Sequence, residues 1–345
     1  MSEDRRLARL SEMGDPLEKV ARAVNWEIFR PILNKGYHKE ERGLGGRPAW
    51  DYVLMYKILL MQAWYNIADD NTEYMINDRL SFQRFLGLSL GDKVPDAKTI
   101  WLFRDHLSKV GADKELFEMF TAEMEKEGVI THKGSIVDAS FVDVPRQRNT
   151  RVENEDIKAD ETPEEWKKPE NAHKLAQKDT DARWTKKNNE THYGYKDHVK
   201  VDADSKMIVE SEVTNAAVHD SQEIVELCNE EDEVIHADSA YVGEKIGDEL
   251  KEKCGKEVEL QINEKGYRNH PLTDEQKATN REKSRVRVRV EHVFGYMTNS
   301  MGGMTIRCIG LVRARCAITI KNLAYNLSRY TYLLTAKKVS RIAQG

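Results

Sequence analysis

The chain has 345 residues, 39% of them hydrophobic and 33% charged, which suits one large domain or two ordinary ones under a heavily charged surface. It contains no uninterrupted apolar run of the roughly eighteen residues a membrane span needs, and "MSEDRRLARLSEMGDP" lacks the apolar core of a signal peptide. Cys228, Cys254, Cys308 and Cys316 form no C-x-x-C pair, so neither a zinc ribbon nor a disulfide framework is expected, and a reducing cytoplasm fits.

The net charge of −5 speaks against a nucleic-acid binder, but its distribution does not. Residues 281–345 hold thirteen Lys and Arg against two Glu, a net of +11, and the remainder carries −16. A chain polarised in this way can hold a polyanion at one end while staying acidic overall. A basic helical tail facing only solvent would read the same way.

Residues 1–130 read as helical. "DPLEKVARAVNWEIFRPILNKG" has helical apolar spacing, and "AWDYVLMYKILLMQAWYNI" is a strongly apolar core helix. "TEYMINDRLSFQRFLGL" continues as short helices, and "DAKTIWLFRDHL" opens on Asp96, a good N-cap, just after Pro95. Short helices with tight turns are compatible with a helix-turn-helix DNA-binding module, as with any small helical domain.

From residue 134 the texture changes. "GSIVDASFVDVP" reads as a strand, whereas residues 146–190 are charged, without a buried run, and read as a long loop or partly disordered insert. "HYGYKDHVKVDADSKMIVESEVTNAAV" predicts two strands joined by the turn at 202–205. A helix capped by Asp220 or Ser221, the short strand "DEVIHADSAY", the helix "GEKIGDELKEKC" and the strand "KEVELQI" follow. This order predicts an α/β sheet covered by helices.

"RVRVRVEHVFGYM", residues 285–297, alternates like a strand. Taken as a helix, it aligns Val286, Val290, Val293, Phe294 and Met297 in one apolar stripe and sets Arg287 one turn before Glu291. We read 273–298 as a long helix; an edge strand over 285–291 is the rival.

Three acidic residues stand out. Asp138 interrupts an apolar strand, where Asp is disfavoured. Asp238 follows "VIHA" at a strand's carboxyl end, where ligands of such sheets gather. Glu291 lies on the long helix. Each has an ordinary alternative: an exposed strand face, a cap, or a plain ion pair with Arg287. Together they form the oxygen-donor set that hard divalent cations need for phosphodiester chemistry. Asp143, Asp202, Asp204 and Asp220 read as turn, cap or face residues.

With these segments in order, the chain resembles the DDE transposases of bacterial insertion sequences, specifically the IS-five family. The resemblance rests on "NWEIFRPIL", "GRPAWDYVLMYKILLMQAWYNIADDNTEYMINDRLSFQRFLGLSL" and "VPDAKTIWLFRDHL", then on "GSIVDASFVDVP", "DARWTKKNNETHYGYKDHVKVD", "HADSAYVG" and "RVRVRVEHVFG". It implies an RNase H-like core, a mixed five-stranded sheet flanked by helices, over residues 131–345 with the charged insert at 146–190 and basic C-terminal helices. An all-helical DNA-binding domain would span 1–130. Asp138, Asp238 and Glu291 would hold two Mg²⁺ ions, with Mn²⁺ able to substitute. The implied reaction is hydrolysis at the element's terminal inverted repeats, then attack of the freed 3′ hydroxyls on target DNA.

The family's helix motif has a tyrosine and a lysine where this chain has Ser284 and Thr298, which puts a DNA contact near the cleavage site in doubt; Arg307 or Lys196 could compensate. Arg287 is expected to hold a phosphate or steady Glu291. Lys196, Arg183, Trp184, Lys186 and Lys187 are the other expected DNA contacts, Trp184 by stacking on bases. Double-stranded DNA is the expected partner, with a homodimer holding two ends, no membrane, and a cytoplasmic, nucleoid-associated location. The alternatives are a non-catalytic DNA-binding relative and another RNase H-like nuclease.

Overall fold

The computed structural model describes residues 3–36, 49–187, 189–241, 246–266 and 271–343, with the side chains of residue 240 and of 337–343 outside that description. The side chains of Lys337, Lys338 and Arg341 of the expected basic tail, and the glycine that closes "HADSAYVG", therefore lie outside the description. The chain forms two compact units, Met1–Glu123 with Thr319–Gly345, and Met124–Ile318. The expected division kept all of 131–345 together. Instead, the helix Leu311–Ala343 contributes to both units, because its buried Leu323, Ala324 and Leu327 pack with the N-terminal helices.

The first unit is helical among its described residues, as its periodicity predicts. Asp15, Asp51 and Asp96 cap the helices Pro16–Ala23, Tyr52–Tyr65 and Ala97–Val110 by accepting from backbone N–H groups of the first turn. Tyr52–Tyr65 is apolar nearly all round and is the central helix, with Ile58, Leu60 and Met61 fully buried. The Trp64 indole donates to the Ala324 carbonyl at 2.6 Å, which fixes the C-terminal segment in this unit.

The second unit is built on a six-stranded mixed sheet, one strand more than expected. Its strands are β1 (Ser135–Asp143), β2 (Arg183–Lys187), β3 (Glu190–Asp202), β4 (Ile208–Asn215), β5 (Val234–Ala237) and β6 (Glu259–Ile262), in the order β2-β3-β1-β5-β6 with β4 also on β3. The additional strand, β2, comes from the charged insert. The long β3 makes room for it, pairing with β2 through 190–194 and with β4 through 195–201. β1 runs antiparallel to β3 and parallel to β5. One face of the sheet buries Val137, Ile235 and Ala237 under Ile224, Leu227, Ile246 and Leu250 of two covering helices. The other face meets the long helix Asp274–Ser300.

The insert is not a disordered loop. Thr150 and Glu153 form a capping box on the helix Arg151–Lys158, and Trp166 is fully buried. The Trp166 indole donates to Glu153 at 2.7 Å. Burial alone would raise the Glu153 pKa, but hydrogen bonds from the Thr150 N–H, Lys174 and Trp166 bring it down to about 2. Buried Asp179 accepts from the Tyr195 hydroxyl at 2.8 Å and from the Ala182 N–H at 3.0 Å. A single tryptophan plug and a few buried acceptors order this segment, features that average composition hides. Smaller differences follow the same logic. The expected helix at 220–230 is only a 3-10 turn Asp220–Gln222 and the short Ile224–Leu227, with His219 rather than Asp220 or Ser221 at the cap.

Candidate active site

The alternation of Arg and Val over 285–290 is helical. Thr273 caps the helix Asp274–Ser300 through a capping box with Gln276, and Asp274 and Glu275 suit its positive end. Val290, Val293 and Met297 are fully buried, with Val286 and Phe294 half-buried, so the expected stripe forms and the edge-strand reading fails. Arginine and valine alternate here because only every third or fourth position must be apolar on a helix.

The two aspartates meet through strand register. β1 and β5 are parallel neighbours, with Ser135 opposite Ile235 and Ile136 opposite His236. Continuing the same register puts Asp138 opposite Asp238, on strands about 4.8 Å apart. Side chains alternate along a strand, so both aspartates share the face of Ile136 and His236, away from the apolar cluster of Val137 and Ala237.

Arg287 connects this rim to the long helix. Its guanidinium donates to Asp138 Oδ2 at 3.4 Å and to Glu291 Oε1 at 3.3 Å. Burial pushes the Asp138 carboxyl from its ordinary 3.8 up to about 6. The Ala139 N–H and Arg287 oppose that rise, and the negative charge of Asp238 adds to it. Among the described residues, Asp138, Asp238 and Glu291 do not close to within 4.8 Å of one another as a metal-ligand set. The guanidinium lies between two of the three carboxylates. The donor chemistry nevertheless fits a divalent cation. It is all carboxylate oxygen, and it is partly withdrawn from water.

Tyr241, one helical turn's spacing past Asp238, escaped the sequence reading. It is buried, and its hydroxyl has no hydrogen-bond partner among the described residues. Burial first, then Asp138, Asp220 and Asp238, raise its pKa, so it remains a phenol able to donate. The D-x-x-Y spacing was the available signal.

The expected DNA contacts separate into two groups. Lys186 and Lys187 are exposed on β2, and Trp184 beside them is 39% exposed, backed by Tyr193 and overlaid by Arg146. Arg183 is instead buried and paired with Asp160. Lys196 is buried too, donating to Asp220 Oδ1 at 2.7 Å and to the Val218 carbonyl at 2.6 Å. Alternation along the strands turns these two cations inward, and each finds an internal acceptor. Ser284 accepts from the Asn263 amide at 3.0 Å, and Thr298 is exposed.

The family described as Transposase DDE domain matches residues 130–327, more than half of the chain. The chain belongs to the DDE transposase family. A second family, Transposase domain (DUF772), matches residues 5–106 of this transposase. A cryo-EM structure of a piggyBac transposase synaptic complex with hairpin DNA is similar at 11% identity and a TM-score of 0.44, over 91% of this chain and 75% of that one. As a DDE transposase the protein is a metal-dependent enzyme. Among the described residues, no helix is long and apolar enough to cross a membrane.

Proposed function

We propose that this transposase is of the IS-five type, that it binds the terminal inverted repeats of its insertion sequence, and that it cuts and joins DNA at the rim formed by Asp138, Asp238 and Glu291. What supports the reading is Arg287, which reaches from the long helix to both Asp138 and Glu291, together with the β1–β5 register, whose continuation past Ile136 and His236 sets Asp138 opposite Asp238. These carboxylates would hold two Mg²⁺ ions, or Mn²⁺ in their place. Divalent cations held there would supply Lewis-acid polarisation of the phosphoryl oxygen and would lower the pKa of the attacking water.

The chain's own residues do the positioning. Arg287 carries five N–H donors, more than its two long bonds to Asp138 and Glu291 use, and can turn one edge to a phosphate oxygen. Tyr241 keeps its proton and packs in the apolar cluster with Val137 and Ala237, behind the strands that carry the aspartates. Lys186, Lys187 and Trp184 present charge and an aromatic face for the DNA backbone and an unstacked base. The helical N-terminal residues, expected over 1–130, recognise the ends. A homodimer on the nucleoid holds two ends together.

The experiment is a Mg²⁺-dependent nicking and strand-transfer assay on duplexes carrying the inverted repeats that flank the coding region. Asp238→Asn and Glu291→Gln are expected to abolish nicking while leaving salt-sensitive binding within about twofold. Binding by the parent without nicking under any divalent metal would favour a non-catalytic relative, a reading to which Ser284 and Thr298 give some weight. Nicking by either variant at the parent's rate would overturn the site.

A further inference from the structure

Outside the active site, one set of side chains has the geometry of a second metal centre. His132 Nε2 lies 3.0 Å from Glu125 Oε1 and 3.2 Å from Glu231 Oε2, and the three donor atoms all fall within 4.8 Å of one another. For first-row divalent ions, bonds of about 2.0–2.2 Å to nitrogen and oxygen in a tetrahedral site put neighbouring ligand atoms about 3.4 Å apart. The two spacings from the imidazole nitrogen are within a few tenths of an ångström of that, and the spacing between the carboxylate oxygens is under 4.8 Å.

The three residues come from separate elements. Glu125 is near the end of the helix Ala112–Lys126, His132 is in the segment entering β1, and Glu231 is in the turn entering β5. Both loops are held in place by buried acceptors. The Thr131 and His132 N–H groups donate to Asp202 at 3.3 and 3.2 Å, and His132 is fixed with a positive φ of 53°. In the second loop the Asn229 N–H donates to buried Asp232 at 2.9 Å, and the Glu231 N–H donates to the Asn229 side chain at 3.1 Å.

We infer that Glu125, His132 and Glu231 bind a divalent ion of the Zn²⁺ class, completed by water on the half-exposed Glu231 side, and that this ion clips together the entrances of β1 and β5. An imidazole ligand selects borderline ions over Mg²⁺, which prefers an all-oxygen octahedron. The clip sits at the amino ends of the two strands whose carboxyl ends carry Asp138 and Asp238. His132 and Asp138 are six positions apart, about 20 Å along extended chain, so this ion is structural and separate from the ions of the reaction.

The test uses full-length protein carrying Asp138→Asn and Asp238→Asn, stripped with chelator and titrated with Co²⁺ as a visible-absorbing stand-in for Zn²⁺. One equivalent per chain is expected, with d–d bands of low coordination number. Zn²⁺ but not Mg²⁺ raises the Tm. Glu231→Gln, in an exposed turn, and His132→Gln each weaken Co²⁺ binding about tenfold or more. Should His132→Gln fail to fold, Glu231→Gln carries the test alone. No binding at millimolar Co²⁺, or binding that Glu231→Gln leaves unchanged, would show an imidazolium–glutamate ion pair only and overturn the proposal.

Discussion

Asp138 places a cost on the folded state that pH should reveal. In the metal-free protein its carboxyl rises from 3.8 to about 6, chiefly by burial, with its side chain only 16% exposed. The native state then binds the proton more tightly than the unfolded chain between those two values. Stability therefore falls as pH rises from about 4 to 6, and the penalty is complete above that range. At 1.36 kcal/mol per pKa unit, a rise of about two units amounts to about 3 kcal/mol. Asp138→Asn removes the titration while keeping an oxygen for Arg287 and for the Ala139 N–H. Thermal unfolding in EDTA should show the variant and the parent alike near pH 4. At pH 8 the variant should be the more stable, by about 6–10 °C for a unit of this size. Nicking is lost at every pH. A variant no more stable than the parent at pH 8, or a gap equal at both pH values, would refute the argument that burial of a charged carboxylate dominates this rim.

Trp166→Ala empties the plug of the insert and should cost that segment about 3–5 kcal/mol; limited proteolysis would then cut within 146–182, where the parent resists. Lys200 and Asp232 form a fully buried pair at 2.9 Å, so Lys200→Met, which leaves Asp232 uncompensated, should lower stability to urea by about 3–5 kcal/mol. Adding Asp232→Asn should restore part of that loss. Gly194 has φ 150°, and a Cβ there would overlap the Val142 carbonyl oxygen across the β1–β3 ladder. Gly194→Ala should destabilise by about 3 kcal/mol or more, read as a lowered denaturation midpoint with the m-value unchanged.

Local signals carried most of the fold. The caps at Asp15, Asp51, Asp96 and Thr273, and the apolar stripe of Val290, Val293 and Met297, depend on residues a turn apart and could be read along the chain. The pairing of Asp138 with Asp238 could not. It depends on which strands are neighbours and in what register, and only the family resemblance anticipated it. Trp166 is hidden in a charged stretch because composition averages away one buried aromatic. Arg183 and Lys196 were read as surface cations because their acceptors, Asp160 and Asp220, stand 23 and 24 positions away and no spacing rule links them. The split of the C-terminal helix between units likewise rests on contacts such as Trp64 with Ala324.

The three arginines of the alternating run have separate surroundings, and the differences explain why Arg287 suits an active site. Arg285 is exposed. Arg289 donates to the Ala203 carbonyl at 2.6 Å, a short bond that fastens the helix to the turn after β3. Arg287 makes bonds of 3.3 and 3.4 Å, well beyond the roughly 2.7–2.9 Å of a tight charge-assisted pair. Its buried Nε has no partner among the described residues. These long bonds soften the repulsion between Asp138 and Glu291 without locking either carboxylate. Under the proposed function, the guanidinium would be held loosely enough to redirect its donors to a phosphate. A tight bidentate pair at the same position would be worth more to the fold, but it would occupy the oxygens that the proposed chemistry needs.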